Sequence, residues 1–346
     1  MEKLEGYEFY RSIGSPKWIC GPMVDASELA FRMLVRRYGV DLAYTPMLNS
    51  KQFTKNTKLR KTIFTTCEGD RPLVAQFAGD CPETLLEAAK LVECCVDAVD
   101  INFGCPQHIA KRGHYGAYLQ DEWDLMRSLI STLHQNLSVP VWCKIRVFPE
   151  LEKSVAYAQM IEQSGSQVLA VHGRTRDSKG RNAGPADWSV IREIKKNLSV
   201  PVIANGDAVS LEAAEQCLSF TGCDGVMAAY PLLVNPTMFS GESKPDPFAV
   251  ARGYLDLAEK HLTPTWQIRG HIFKLLKGHI LGQDDIIRTY GAAQNANDYR
   301  QATLELEERI ANGYSKTCSP TEACVNGIQS GYVLDEDDSV VQIFRE

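Results

Sequence analysis

A (β/α)8 TIM barrel followed by a small all-helical segment is the architecture this sequence predicts, and three observations carry it. Eight short apolar runs recur through the first two-thirds of the chain. Segments of helical periodicity separate most of them; alternation of strand and helix implies parallel strands, and eight such units close a barrel. The hexapeptide NLSVPV then occurs twice, at 136–141 and 197–202, each copy leaving a helix, turning, and entering a strand through proline. The copies lie two β/α units apart, as a repeated architecture gives.

The eight runs are WICGPMVD (18–25), DLAYTP (41–46), LVAQFAG (73–79), DAVDINFG (97–104), VPVWCKIRV (139–147), QVLAVHG (167–173), VPVIANG (200–206) and CDGVMAA (223–229). Between them, Leu85, Leu86, Ala89 and Val92, or Met126, Leu129, Ile130, Leu133 and Leu137, follow helical spacing. Helix starts are marked by Ser27 before ELAFRMLVRRYG, Asp121 before EWDLMRSLI and Pro82 before ETLLEAAKLV. After residue 229 the strands stop and consecutive helical segments follow. The predicted division is a barrel over 1–246, a helical domain over 247–313 and a disordered acidic tail over 314–346.

Hydrophobic residues make up 44% of the 346 and charged residues 23%, an ordinary soluble composition. No uninterrupted apolar stretch approaches the roughly 20 residues of a membrane helix, and the first residues lack a signal core. A protein of the cytoplasm or nucleus, monomeric and away from membranes, is the expectation. The eleven cysteines are odd in number and none has C-x-x-C spacing. Reduced thiols are expected, with no metal site. Residues 318–346 hold six acids against Arg345, a net −5 of the chain's −6, so the body is close to neutral. On it, KQFTKNTKLRK (51–61) and WQIRGHIFKLLKGHILG (266–282) form basic stretches without acids.

Side-chain alternation sorts each strand into a face toward the helices and a face toward the barrel interior. In VPVWCKIRV the apolar set Val141, Cys143, Ile145 and Val147 suits the helices, which leaves Trp142, Lys144 and Arg146 inward. The same parity groups Gln76 with Val74, Asn102 with Asp100, and His172 with Ala170. Taken alone, His172 reads as a satisfied core histidine. Gln76, Asn102, Lys144, His172 and Asn205, however, end five strands at one rim, where barrel sites lie. The loops after the last two strands, with Asn205, Gly206 and Asp207, suit an anion held by backbone N–H groups. A tight turn needing positive φ explains Gly206 equally well.

The ordered series GPMVDASE, NFGCPQ, KIR, VHGRT, ANGD and the NP after the last strand resembles the tRNA-dihydrouridine synthase family of flavin enzymes. The resemblance covers about residues 15–313, and GCPQHIAKRGHYGAYLQ is most similar to the eukaryotic branch acting on D-loop uridines 16 and 17. It implies FMN, with Pro22, Met23 and Val24 beside the isoalloxazine and Gln76, Lys144 and His172 on its polar edge. Asn205, Gly206 and Asp207 would hold the ribityl phosphate with the backbone of Ala229 and Tyr230, where many members have Gly-Arg. NADPH or NADH is the implied reductant and tRNA the implied partner.

Reducing the uracil 5,6 double bond needs a hydride at C6 and a proton at C5, and only the second must come from a side chain. Cys105 matches the family's acid, and a thiol is largely protonated at neutral pH. Asn102 and Arg174 are expected on the uracil, and Lys111, Arg112, Arg269 and Lys274 on tRNA. Lys111, Arg112 and the neighbouring glycines read as a mobile loop closing over an extruded base. Two alternatives stand beside this: an FMN barrel oxidoreductase of a free pyrimidine, and a catalytically silent tRNA-binding protein.

Overall fold

The computed structural model describes residues 3–178, 180, 183–241 and 245–313, so the predicted acidic tail lies outside the described residues. The eight predicted runs are eight parallel strands: β1 Trp18–Cys20, β2 Leu42–Tyr44, β3 Leu73–Ala78, β4 Ala98–Phe103, β5 Val141–Val147, β6 Val168–Thr175, β7 Val202–Asn205 and β8 Gly225–Ala228. Each pairs with the next, and β8 pairs with β1, which closes the barrel. A further two-residue strand, Leu48–Asn49, extends the edge of β3.

Parity sorts the strands as the alternation requires. Val141, Cys143, Ile145 and Val147 join the apolar layer under the helices, whereas Trp142, Val74 and Ala170 belong to a separate cluster filling the barrel. Phe9 and Tyr10, from the short helix Gly6–Ser12, complete that inner cluster; both lie within 6.3 Å of the Trp142 ring, centroid to centroid. The apolar plug leaves only the opposite, carboxyl-terminal rim free to hold polar groups.

Both NLSVPV copies run from a helix end into a strand, at β5 and at β7. In each, a glutamate from the preceding β/α unit accepts the turn serine's backbone N–H: Glu93 for Ser138 and Glu162 for Ser199. Two predicted caps are not used. The helices begin at Leu29 and Trp123, with Glu28 and Glu122 at the N-cap positions and no side-chain cap bond. Ser27 turns its hydroxyl to the Met23 backbone, and Asp121 pairs with Arg176. Pro82 does open its helix, Pro82–Lys90.

Among the described residues 247–313 the structured elements are helices: Pro247–Lys260, Thr265–Leu275, Lys277–Ile280, Asp284–Ala292 and Ala296–Ala311. Tyr254, Ile272 and Leu306 share one apolar cluster with Leu34 of the barrel's first helix. A buried polar joint fixes the docking: Glu28, 6% exposed, accepts from Tyr254 Oη at 2.9 Å and meets His271 Nε2 at 2.9 Å. Burial works against the Glu28 charge, but His271 and Tyr254 outweigh it and hold the carboxyl below its ordinary 4.5. A depressed carboxyl contributes stability above its unfolded-state pKa and loses it as pH falls through the folded one. Glu28→Ala is expected to cost about 3 kcal/mol at pH 7, read by denaturant unfolding, because it strands two buried partners. The penalty should shrink at acid pH, below 4.5.

Candidate active site

The register of the closed sheet assembles the rim. Asn102 lies beside Lys144, Arg146 beside His172, and His172 beside Asn205. Five residues far apart in sequence therefore meet around one mouth, as the parity of their strands predicts. Pro22 and Met23 are half-buried and Val24 is exposed in the turn after β1.

On one side of the mouth stand Gln76 and Asn102, both buried. Asn102 Nδ2 donates to Gln76 Oε1 at 2.8 Å, and Gln76 Nε2 donates to Asp100 Oδ2 at 2.8 Å. Burial pushes the Asp100 carboxyl up to about 7, against the opposing effects of Gln76 and Lys144. Across the mouth Lys144 Nζ donates to Asn205 Oδ1 at 2.9 Å, and Asn205 Nδ2 donates to the Met227 carbonyl at 2.9 Å. Lys144 keeps some solvent contact, yet burial, with Arg146 alongside, lowers its ammonium to about 8.

His172 is driven well below its ordinary 6.5, by burial first and then by Lys144, Arg146 and Arg174. Its ring is neutral at pH 7. Arg174 lies 3.2 Å from His172 Nε2 and can only donate, which assigns the ring proton to Nδ1. Gly206 adopts φ +117°, and a Cβ there would stand 2.6 Å from Ala186 Cβ and 3.1 Å from His172 Cδ2. The turn thus has the positive φ that one reading of this glycine requires, and its backbone also packs closely on the histidine. Asp207 directs its carboxylate to Arg174 and to the Ala186 N–H, so its side chain organises the loop. Ala229 and Tyr230 are half-buried at the start of the helix Tyr230–Val234.

Cys105 follows β4, half-buried. Its backbone N–H and that of Gly104 donate to Asn102 Oδ1 at 2.9 and 3.1 Å. Burial raises its thiol above the ordinary 9.0, opposed by the Gln107 backbone, Arg146 and Lys144. The thiol is therefore a proton-bearing group at neutral pH. Arg146, which the parity argument turned inward without a role, pins this loop: its Nε donates to the Gly104 carbonyl at 2.9 Å and its Nη1 to those of Thr175 and Ser178.

The segment expected to be a loop is instead folded. Lys111 and Arg112 are exposed on a short helix, His108–Gly113, and Gly116–Leu119 forms a 3-10 turn. His114 ends the helix in the left-handed region, its ring held between Asp80 and Glu122, and Tyr115 is buried. Ala117 N–H returns to the Cys105 carbonyl at 3.0 Å. A Cβ on Gly116 would meet that carbonyl at 2.7 Å, so a glycine is required for the turn to approach the thiol's backbone.

The other cations expected on substrate have partners within the fold. Arg174 is engaged with His172, Asp207 and the Gly184 carbonyl, which ties it to the Gly206–Asp207 loop. Arg269 reaches Tyr299 and the Gly291 carbonyl and so braces the helical segment, and Lys274 donates to Gly270 one turn back. Lys51, Lys55, Lys58, Lys61 and Lys277 are the exposed cations of the two basic stretches, and Lys51 pairs with Asp80 at 2.7 Å. Sequence reasoning assigned no role to Asp100 and Arg146. Their inward parity, shared with Asn102 and Lys144, was the available signal.

Neutral amides, a lysine, an uncharged histidine and a protonated thiol thus stand together at the carboxyl rim of a closed parallel barrel, the rim where proteins of this fold class carry their sites. The chain belongs to the dihydrouridine synthase family, whose model matches residues 19–315. It is 49% identical over 278 residues to a tRNA-dihydrouridine(16/17) synthase [NAD(P)(+)]-like protein of Mus musculus, covering 80% of this chain and 58% of that protein. The chain thus spans about three-fifths of that relative's length. It is also 43% identical over 331 residues to the tRNA-dihydrouridine(16/17) synthase [NAD(P)(+)] of Saccharomyces cerevisiae, covering 91% and 77%. A tRNA-dihydrouridine(20a/20b) synthase [NAD(P)+]-like protein of Homo sapiens is 39% identical over 262 residues, covering 75% and 81%.

Proposed function

We propose that this chain reduces the 5,6 double bond of uridine to dihydrouridine in the D-loop of tRNA, at positions 16 and 17, with FMN as cofactor and NADPH as reductant. The observation that carries this reading is the protonated Cys105 thiol held beside Asn102 at the same mouth as Lys144 and His172. The positions follow the names of the mouse and yeast relatives.

The residues present fit FMN. Gln76 and Asn102 each retain an amide N–H beyond the bonds they make to each other and to Asp100, and His172 has Nδ1–H as a further donor. Lys144 adds positive charge, and the Gly206 turn, too tight for a Cβ, exposes backbone to an anion. Pro22, Met23, Val24, Asn205, Asp207 and the Ala229–Tyr230 backbone complete the proposed cofactor set. Bound there, FMN supplies the hydride for C6 of the base. Cys105 holds the other reactant, the proton for C5, on a thiol whose raised pKa keeps it loaded at pH 7. Lys144 presents its charge where negative charge accumulates during reduction.

A uridine within tRNA must leave its stack to reach this mouth, and the exposed Lys111 and Arg112, together with Lys55, Lys58, Lys61 and Lys277, offer phosphate contacts around it. A free pyrimidine needs no such surface, which favours tRNA over the small-substrate reading. The test offers unmodified tRNA and free uridine to the purified chain with NADPH, with dihydrouridine measured by nucleoside mass spectrometry. Product is expected from tRNA alone, with affinity falling steeply as salt is raised. Equal turnover of free uridine, or a protein that binds no flavin, would overturn the reading.

A further inference from the structure

Four hydrogen bonds connect the barrel interior to the thiol loop, and their polarity is set from both ends. Asp100, fully buried, accepts from Gln76 Nε2 at 2.8 Å. Gln76 Oε1 accepts from Asn102 Nδ2 at 2.8 Å, and Asn102 Oδ1 accepts from the backbone N–H groups of Gly104 and Cys105 at 3.1 and 2.9 Å. A backbone N–H can only donate, so Asn102 must turn its oxygen to the loop and its nitrogen to Gln76. Gln76 must then turn its oxygen to Asn102 and its nitrogen to Asp100, where an acceptor is required. With oxygen and nitrogen both anchored, each planar carboxamide has its plane fixed, and each keeps one N–H for the mouth.

Asp100 is wholly buried, and its link to the mouth runs through Gln76. Its other oxygen, Oδ1, has no hydrogen-bond partner among the described residues, and neither has Trp142 Nε1 on the neighbouring strand position. A carboxylate buried with half its acceptors unmet is costly, and an apolar side chain would fill the position without that cost. What the carboxylate adds is the acceptor for Gln76.

We propose that Asp100 is a positioning residue: acting through Gln76 and Asn102, it fixes both amides as donors and holds the Gly104–Cys105 backbone in place for proton delivery. The catalytic part of this statement rests on the function proposed above. The structural part does not. Without Asp100 the Gln76 amide is anchored at its oxygen alone, by Asn102, so its plane is no longer fixed and its hold on Asn102 loosens.

The test uses the full chain with Asp100→Ala, Asp100→Asn and Asn102→Ala. Hydrogen exchange at the Gly104 and Cys105 amides is expected to quicken about tenfold in Asp100→Ala, the scale of one buried bond lost, while β7 amides keep their protection. Asp100→Asn, which retains an acceptor oxygen, should restore that protection. The rate of uridine reduction is expected to fall about tenfold in Asp100→Ala but to lose nothing further when Asp100→Ala is added to Asn102→Ala, because the chain is already cut. Unchanged exchange at Gly104 and Cys105 in a folded Asp100→Ala protein would overturn the proposal, as would a full tenfold loss in the Asn102→Ala background. If Asp100→Ala fails to fold, Asp100→Asn decides: unprotected amides at Gly104 and Cys105 in that variant overturn it as well. An unmodified chain inactive on tRNA would sink the functional reading alone, since the exchange measurement needs no turnover.

Discussion

Cys105→Ala is expected to abolish dihydrouridine formation, lowering the rate on tRNA by about 10²–10⁴-fold, the usual contribution of a positioned general acid. The loss should fall on one step. Cofactor content and reduction by NADPH are expected to persist, because Gln76, Lys144, His172 and the Gly206 turn are held by bonds that do not involve the thiol. Removing the sulfur opens little volume at a half-buried position, so unfolding transitions should barely move. Nucleoside mass spectrometry of tRNA from cells lacking the gene, complemented with either form, reads the outcome. Full return of dihydrouridine with the alanine form removes Cys105 as the proton donor. Alkylation of the wild-type thiol supplies a second check: it should stay slow at pH 7 and accelerate only above 9.0, because burial raises this pKa.

Lys144→Met is expected to slow NADPH-driven turnover about 10²–10³-fold, the range found when a preorganised charge or donor is removed from a site. Methionine keeps the length of the side chain and removes the ammonium, so the change tests charge more than packing. Stopped-flow bleaching of the flavin band under NADPH, followed by reoxidation with tRNA, separates the two half-reactions. A variant within about threefold of wild type in both would leave Lys144 a packing residue, since lost transition-state stabilisation must show in one of them. The lysine also sets a pH dependence. Its ammonium is lowered to about 8, so the charged form predominates below that value and is lost as pH rises through it. Wild-type activity is therefore expected to decline from about pH 8, before the Cys105 thiol titrates.

Much of this site was legible in the sequence. Strand alternation is strict, so one apolar face in VWCKIRV sufficed to turn Lys144 and Arg146 inward, and the same parity brought Gln76, Asn102 and His172 to the rim. Eight repeats of strand and helix implied closure, and closure implied that residues ending different strands share one mouth. The elements that went astray were governed by single hydrogen bonds. Ser27 and Asp121 have the composition of helix caps, yet each found a better partner in the fold, Met23 backbone in one case and Arg176 in the other. The stretch after Cys105 has the glycines of a mobile loop, but Tyr115 is buried and His114 is clasped by two carboxylates from other elements.

Charge told the same story at the surface. Arg269 and Lys274 lie in a basic stretch that suggests a phosphate-binding face, and in the fold Arg269 also donates to Tyr299 and the Gly291 carbonyl, partners the stretch does not reveal. Arg174, expected on the uracil, also reaches Asp207 in the Gly206–Asp207 turn. Local sequence carries a residue's chemical type but not the partner that claims it, and a long flexible cation can be claimed from several directions.

The sequence by itself determined the barrel and the rim, because both follow from periodicity along the chain, whereas the proposed acid, Cys105, rests on the family resemblance. Only the tertiary structure decided how those groups are oriented. Which end of the Gln76 amide faces Asp100, which nitrogen of His172 bears the proton, and why Gly116 must lack a side chain beside Cys105 all depend on atoms brought together from different strands. The physical reason is that alternation fixes the direction of a side chain, whereas donor and acceptor polarity is fixed by its neighbours, and these exist only once the barrel has closed.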